Sequence, residues 1–201
     1  MANVDKPFGF KPLRHLNGSP WNGMFNIYYH SASDTAAIGK GDLVQADATN
    51  YETTGKYPTV KRHVAGQEDN IGVAIGFGTN PQLMTNVANL NAVNYCAAST
   101  AMYVAVVDDP TVVFEVQEDS DAGANTADQV GYFADVVVAA PSTTTGTSGM
   151  ELDSSSAVAG TSQTLRILRV VNREDNELGT NCKWEVLINE HLYGQNENVI
   201  A

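Results

Sequence analysis

The chain has 201 residues, enough for one well-packed domain or two small ones sharing a core. Its charged fraction of 17% is well under the usual ~25%, and Asn, Thr, Ser, Gly and Ala fill the difference, which favours strands and polar turns over a solvated helical bundle. A net charge of −12 argues against duplex nucleic-acid binding, which depends on Lys and Arg displacing counterions from phosphate.

The charge is uneven. Residues 1–62 hold seven of the eleven basic side chains against five acids, residues 63–164 hold twelve acids and no Lys or Arg, and residues 165–201 hold four basic and six acidic groups. This pattern suits a basic N-terminal part docking on an acidic surface while the acidic middle faces solvent. Cys96 and Cys182 lie in apolar, strand-like stretches outside any C-x-x-C pair and read as free, packed thiols. The N-terminus has no apolar run of signal-peptide length, and no run approaches ~18 apolar residues, so a soluble protein made in a reducing cytoplasm is expected.

In chain order, residues 1–24 carry Pro7, Pro12 and Pro20 with Gly9, Gly18 and Gly23, and read as an extended arm. Its interleaved Phe8, Phe10, Leu13, Leu16 and Trp21 are too apolar for a disordered tail. They need either the protein's own core or another subunit. Alternation predicts a strand at 25–30, and the glycine-flanked GKGD turn leads to another at 43–46. Further strands are expected at 57–64 and at 70–78, where Ile71, Val73, Ile75 and Phe77 share one face and glycines leave room on the other. Residues 80–94 read as loop with one helical turn. Two β-branched runs at 102–107 and 111–118, separated by Asp108-Asp109-Pro110, predict a hairpin whose second run is buried on both faces.

A loop at 119–129 and an apolar strand at 132–140 follow. Residues 141–164 are too poor in apolar groups to build a core of their own and read as a long loop or exposed hairpin interrupting the body. Strands at 165–171 and 183–189 are expected to pair antiparallel, with Leu165 and Ile167 meeting Trp184, Val186 and Ile188. The fold class is therefore all-β: a β-barrel or β-sandwich body over 25–201, an extended N-terminal arm over 1–24, and long polar loops.

Catalytic motifs are missing. There is no G-x-S-x-G elbow, no H-E-x-x-H and no Cys/His spacing suited to zinc, and His15, His30, His63 and His191 read as surface or packing residues. The glycines around Lys40 and in 72–78 do not complete a phosphate-binding pattern. Glu118-Asp119-Ser120-Asp121 gathers carboxylates suited to a hard cation such as Ca²⁺, but Gly123 and Ala124 stand where the EF-hand pattern needs a ligand and the turn glycine. The bland reading, a solvated acidic loop, takes precedence, so no metal, cofactor or catalytic residue is assigned and no enzymatic activity is expected.

Several stretches in order resemble the head decoration or cement proteins of tailed phages: MANVDKPFGFKPLRHLNGSPW, GKGDLV with the later NIGVAIG, FEVQEDS, TTTGTSGMELDSS, and LRILRVVNREDNELGTNCKWEVLINEH. The resemblance implies a virion protein on the outer capsid surface, made in the bacterial host cytoplasm. It further implies that the protein binds the major capsid protein, commonly as a homotrimer, without direct contact to nucleic acid or membrane. On this reading Phe8, Phe10, Leu13, Arg14, Leu16 and Trp21 contact the shell or a neighbouring subunit, and Lys6 and Lys11 steer the encounter. The alternatives are a minor capsid, head-to-tail or tail component, and a surface carbohydrate-binding β module using Tyr51, Tyr57 or Tyr193.

Overall fold

The computed structural model describes residues 3–84, 93–121, 123–160 and 163–194. Among these residues fourteen strands appear in this order: β1 Lys11–His15, β2 Asn26–His30, β3 Ile38–Gly39, β4 Leu43–Ala46, β5 Val60–Arg62, β6 Asn70–Gly78, β7 Tyr95–Cys96, β8 Met102–Val107, β9 Val112–Gln117, β10 Phe133–Ala134, β11 Val136–Val137, β12 Glu151–Leu152, β13 Leu165–Val170 and β14 Lys183–Ile188. The helical content of the described residues is three short 3₁₀ turns, one of them at Pro81–Leu83, where a turn was expected. The rest of that loop, 85–92, lies outside the described residues.

Two five-stranded antiparallel sheets carry the fold, ordered β1-β9-β14-β13-β10 and β2-β8-β6-β4-β5. Small pairs β3-β7 and β11-β12 flank them. The second sheet curls until its two edges meet: the Tyr29 N–H donates to the Pro58 carbonyl at 2.9 Å, and Tyr29 bridges Thr59. This partly closed barrel encloses Tyr28, Ile38, Val44, Val60, Ile71, Phe77, Cys96 and Val104. Its outer side contributes Leu43, Val73 and Val107 to a larger core shared with Phe114, Val116, Leu165, Ile167, Trp184 and Val186 of the first sheet. The expected β13–β14 pairing is present, with Leu165 opposite Ile188 and Ile167 opposite Val186.

The expected 102–118 hairpin does not form. β8 pairs with β2 and β6, β9 pairs with β1 and β14, and the Asp108-Asp109-Pro110 turn hands the chain from one sheet to the other. All six residues of β9 are buried, so it takes a neighbour on each side and a packed layer on each face. The two runs serve different sheets, and Asp109 makes the corner by accepting from the Thr111 N–H at 2.8 Å and the Thr111 hydroxyl at 2.7 Å.

β6 also departs from simple alternation. Register shifts opposite Val44/Gln45 and at Ala74/Gly76 rotate the strand twice, so Ile71 and Phe77 face the barrel interior while Val73 and Ile75 turn to the shared core. The expected room beside its glycines is used: a Cβ on Gly72 would lie 2.0 Å from the Val107 carbonyl oxygen.

The 132–140 run splits between two sheets as β10 and β11. The Ser/Thr-rich tract is not simply exposed. Met150 and Leu152 are fully buried in the shared core, and the Lys40 N–H donates to the Gly146 carbonyl at 2.8 Å. The acidic middle likewise does not all face solvent, since Glu115 and Glu118 are buried.

Candidate functional site

The N-terminal segment is bound along its own body. The Asn3 amide donates to the carbonyls of Glu177 and Thr180 at 2.7 and 2.9 Å, the Gln117 amide donates to the Val4 carbonyl at 2.7 Å, and the Lys6 N–H donates to Gln117 Oε1 at 3.0 Å. At Gly9 the chain turns with φ +71° so close to the GKG turn that a Cβ would lie 2.4 Å from the Gly41 carbonyl oxygen. No side chain fits there. The Phe10 N–H then donates to the Gly41 carbonyl at 2.8 Å, and β1 begins as an edge strand on β9.

This geometry divides the eight residues expected at an interface. Phe10 is only 2% exposed and packs edge-on against Phe114, ring centroids 6.4 Å apart. Arg14 places Nη2 2.6 Å from Glu185 Oε2. Leu13 is half-buried and its carbonyl accepts from the Trp21 N–H, while Trp21 packs partly against the shared core. Phe8 is half-buried, and Lys6, Lys11 and Leu16 are exposed. Phe10, Arg14 and Trp21 thus anchor the segment to its own body, and Phe8, Lys6, Lys11 and Leu16 remain presented. Phe8, Pro12 and Ile75 line an apolar groove of about 420 Å³, with the exposed Lys11 and Lys40 among its lining residues.

Arg14 belongs to an ionic layer on the first sheet. Glu115 and Glu185 stand directly opposite each other on β9 and β14, two buried carboxylates that would repel. Arg173 holds Glu115 through Nη2–Oε1 at 2.9 Å and Nη1–Oε2 at 3.0 Å, and Arg169 joins Arg14 on Glu185 at 2.9 Å. Burial pushes the Glu185 carboxyl up, but hydrogen bonds from Arg169 and Arg14 outweigh it and hold the group below its usual range.

A thiol, an imidazole and a carboxylate line up inside the barrel. Cys96 Sγ lies 3.2 Å from His30 Nδ1, and His30 Nε2 lies 3.1 Å from Asp34 Oδ2. The order resembles a nucleophile–base–orienter relay, but Cys96 and His30 are fully buried. Burial and the Asp34 charge push the Cys96 thiol up to about 12, so it stays protonated and unreactive at neutral pH. The arrangement is a satisfied packing network. His30 and Asp34 are only four residues apart, but Cys96 lies 66 residues from His30, so no local motif joins all three.

The acidic loop also rearranges relative to expectation. Glu118 turns inward, accepting from Trp184 Nε1 at 2.9 Å and from the Asn125 N–H at 3.1 Å. Asp153, from the Ser/Thr-rich tract, joins Asp119 and Asp121, with one oxygen of each within 4.8 Å of the others. Asp119 Oδ1 and Asp153 Oδ1 already accept from Ser154 and Ser155, so these oxygens are satisfied by turn hydrogen bonds. Tyr51 and Tyr193 are exposed, while Tyr57 is half-buried edge-on to Tyr103.

The architecture defines an all-β protein of two five-stranded antiparallel sheets, one of them curled into a partly closed barrel. Compared with known proteins, the chain matches no family model, no curated protein and no solved structure.

Proposed function

We propose that this protein is a non-enzymatic virion component that binds the outer surface of a tailed-phage capsid and stabilises the shell, with the major capsid protein as partner and a homotrimer as the working unit. The observation that carries the reading is the N-terminal segment. Phe10, Arg14 and Trp21 fix it to a rigid body, while Phe8, Lys11 and Lys40 frame an apolar, cationic groove at its surface. Such a surface suits an acidic, partly apolar protein face. Binding only to the intact lattice stabilises that lattice by mass action, and many copies act together.

The test is to add purified protein to expanded capsids that lack it and measure mass per particle. Saturation at hundreds of copies supports decoration; a handful of copies per particle points to a vertex or tail role, and no binding sinks the reading. Because Phe10 belongs to the core, point substitutions serve better than removal of the segment. Lys11→Ala with Lys40→Ala should weaken binding and flatten its salt dependence while leaving stability unchanged.

A further inference from the structure

Asn-Gly occurs twice in the chain, at Asn17-Gly18 and at Asn22-Gly23. An asparagine followed by glycine is open to attack on its side-chain carbonyl carbon by the glycine's backbone nitrogen, because no Cβ obstructs the approach. The two pairs look alike from outside. All four residues are exposed, Gly18 and Gly23 have φ of +91° and +84°, and nothing lies within 4 Å of a Cβ built on either glycine. Their electrophiles are comparable too: Asn17 Oδ1 accepts from the Ser19 N–H at 3.0 Å and the Ser19 hydroxyl at 2.8 Å, and Asn22 Oδ1 accepts from the Met24 N–H at 3.2 Å.

The nucleophiles differ. The Gly18 N–H donates to the His15 carbonyl at 2.9 Å inside a hairpin closed by the His15 N–H on the Ser19 carbonyl at 2.8 Å and by the Arg14–Pro20 bridge. The Leu16 N–H, donating to the Thr111 carbonyl at 2.8 Å, holds that hairpin against the body. The Gly18 nitrogen must leave its acceptor, and the turn must open, before it can reach Asn17. Gly23 lies beyond the hairpin, and among the described residues its N–H meets no acceptor. Its turn is tied by the Asn22 side chain itself and by the Trp21 indole N–H, which donates to the Met24 carbonyl at 3.2 Å. Holding a donor in one hydrogen bond of ordinary net strength withdraws it from reaction by a factor of about five.

We infer that Asn22 is a self-modification site, where the folded chain converts asparagine to aspartate and isoaspartate with water as the only co-reactant. A solvent base takes the Gly23 amide proton, the nitrogen bonds to Asn22 Cγ, and the Cγ–Nδ2 bond breaks with release of ammonia, leaving a five-membered succinimide. Water then opens the ring: addition at Cγ gives aspartate, and addition at the backbone carbonyl carbon gives isoaspartate, whose chain runs on through Cβ and Cγ. Either product adds a negative charge to a chain already at −12. Isoaspartate also lengthens the backbone by a methylene between Trp21 and Met24, which breaks the bond between them and loosens a residue that anchors the N-terminal segment. The site does not depend on the decoration reading.

Purified full-length protein is incubated at mildly alkaline pH and digested, and mass spectrometry with fragment ions assigns the gain of about 1 Da, which marks loss of the amide, to one position or the other. In the native protein position 22 should convert faster than position 17 by about fivefold or more, giving two chromatographically separate products. In guanidinium chloride the hairpin is gone and both asparagines precede glycine, so the two rates should converge to within about twofold. Asn22→Gln should abolish the fast conversion and leave position 17 unchanged. Equal native rates, faster conversion at position 17, or no conversion at position 22 overturns the assignment. A preference for position 22 that persists undiminished in denaturant belongs to the flanking sequence and not to the fold, and overturns it as well. The isolated isoaspartate form should have a lower denaturation midpoint than Asn22→Asp, which carries the charge without the extra methylene; equal midpoints overturn the loosening of Trp21.

Discussion

Replacing Phe10 by Ala asks whether the N-terminal segment is part of the folded body in solution. The ring is 2% exposed, lies in the core shared by the two sheets and meets Phe114 edge-on at 89°. Truncating a buried Phe to Ala typically costs about 3 to 5 kcal/mol, combining lost transfer free energy with the cavity left behind. Collapse into that cavity is opposed by the tight backbone contact between Gly9 and Gly41 and by the Phe10 N–H bond to Gly41, which hold this stretch in place. The upper half of the range is therefore expected. For a chain of this size each kcal/mol lowers Tm by about 2 to 4 °C, so the loss should approach or exceed 10 °C. Urea denaturation followed by tryptophan fluorescence is the assay, because Trp184 is fully buried and reports opening of the same core. Phe8→Ala is the matched control, since Phe8 is half-buried at the groove and should cost under about 1 kcal/mol. A Phe10→Ala protein within about 1 kcal/mol of wild type would refute the docked segment.

Two other outcomes follow from buried ionisable groups. Burial, aided by the nearby carboxylates of Asp5 and Asp119, pushes the Glu151 carboxyl up to about 7 from an ordinary 4.5. A folded pKa above the unfolded one means that the native state takes up the proton first, so this contribution to stability is complete below about pH 4.5 and is lost as pH rises through about 7. Glu151→Gln should therefore be more stable than wild type at pH 8 and lose that advantage by pH 5, with the difference held to about 1 kcal/mol by partial solvation; equal offsets at both pH values would contradict the assignment. Burial also pushes the Cys96 and Cys182 thiols up, to about 12 and about 11. Neither should react with Ellman's reagent in the native protein at pH 8, and both should react after denaturation; rapid labelling of the native protein would show that the barrel interior is accessible.

Several features were legible in the sequence because they arise from local periodicity. The alternation at 25–30 and the matched apolar runs at 165–171 and 183–189 specify strands, and side-chain matching also specified the β13–β14 partnership. The apolar density of 111–118 correctly signalled a strand buried on both faces. Phe10 and Trp21 were recognisable as apolar residues needing a partner. Which surface they would meet was not, because an apolar side chain is stabilised equally by its own core and by a neighbour's.

Only the tertiary structure decided the rest, and the reason is that pairing and burial are set by distant chain segments. Asp108-Asp109-Pro110 specifies a tight turn, but whether the flanking strands pair or part depends on the competing neighbours β6 and β14. Two register shifts in β6 undid an alternation that looked regular; each leaves an extra β6 residue beside a glycine, Gly72 or Gly76, so the glycines marked where a bulge could form, while the pairing with β4 and β8 decided that it did. Met150 and Leu152 entered the core from a tract too polar to form one, since two apolar side chains suffice when another sheet supplies the remaining surface. Cys96 joins the local pair His30 and Asp34, and Asp153 joins the local pair Asp119 and Asp121, each across a long stretch of chain. The two Asn-Gly pairs read alike in the sequence; they differ because the hairpin that ties Gly18 to the His15 carbonyl is itself held beside β9, with the Leu16 N–H donating to the Thr111 carbonyl, while Gly23 lies beyond it.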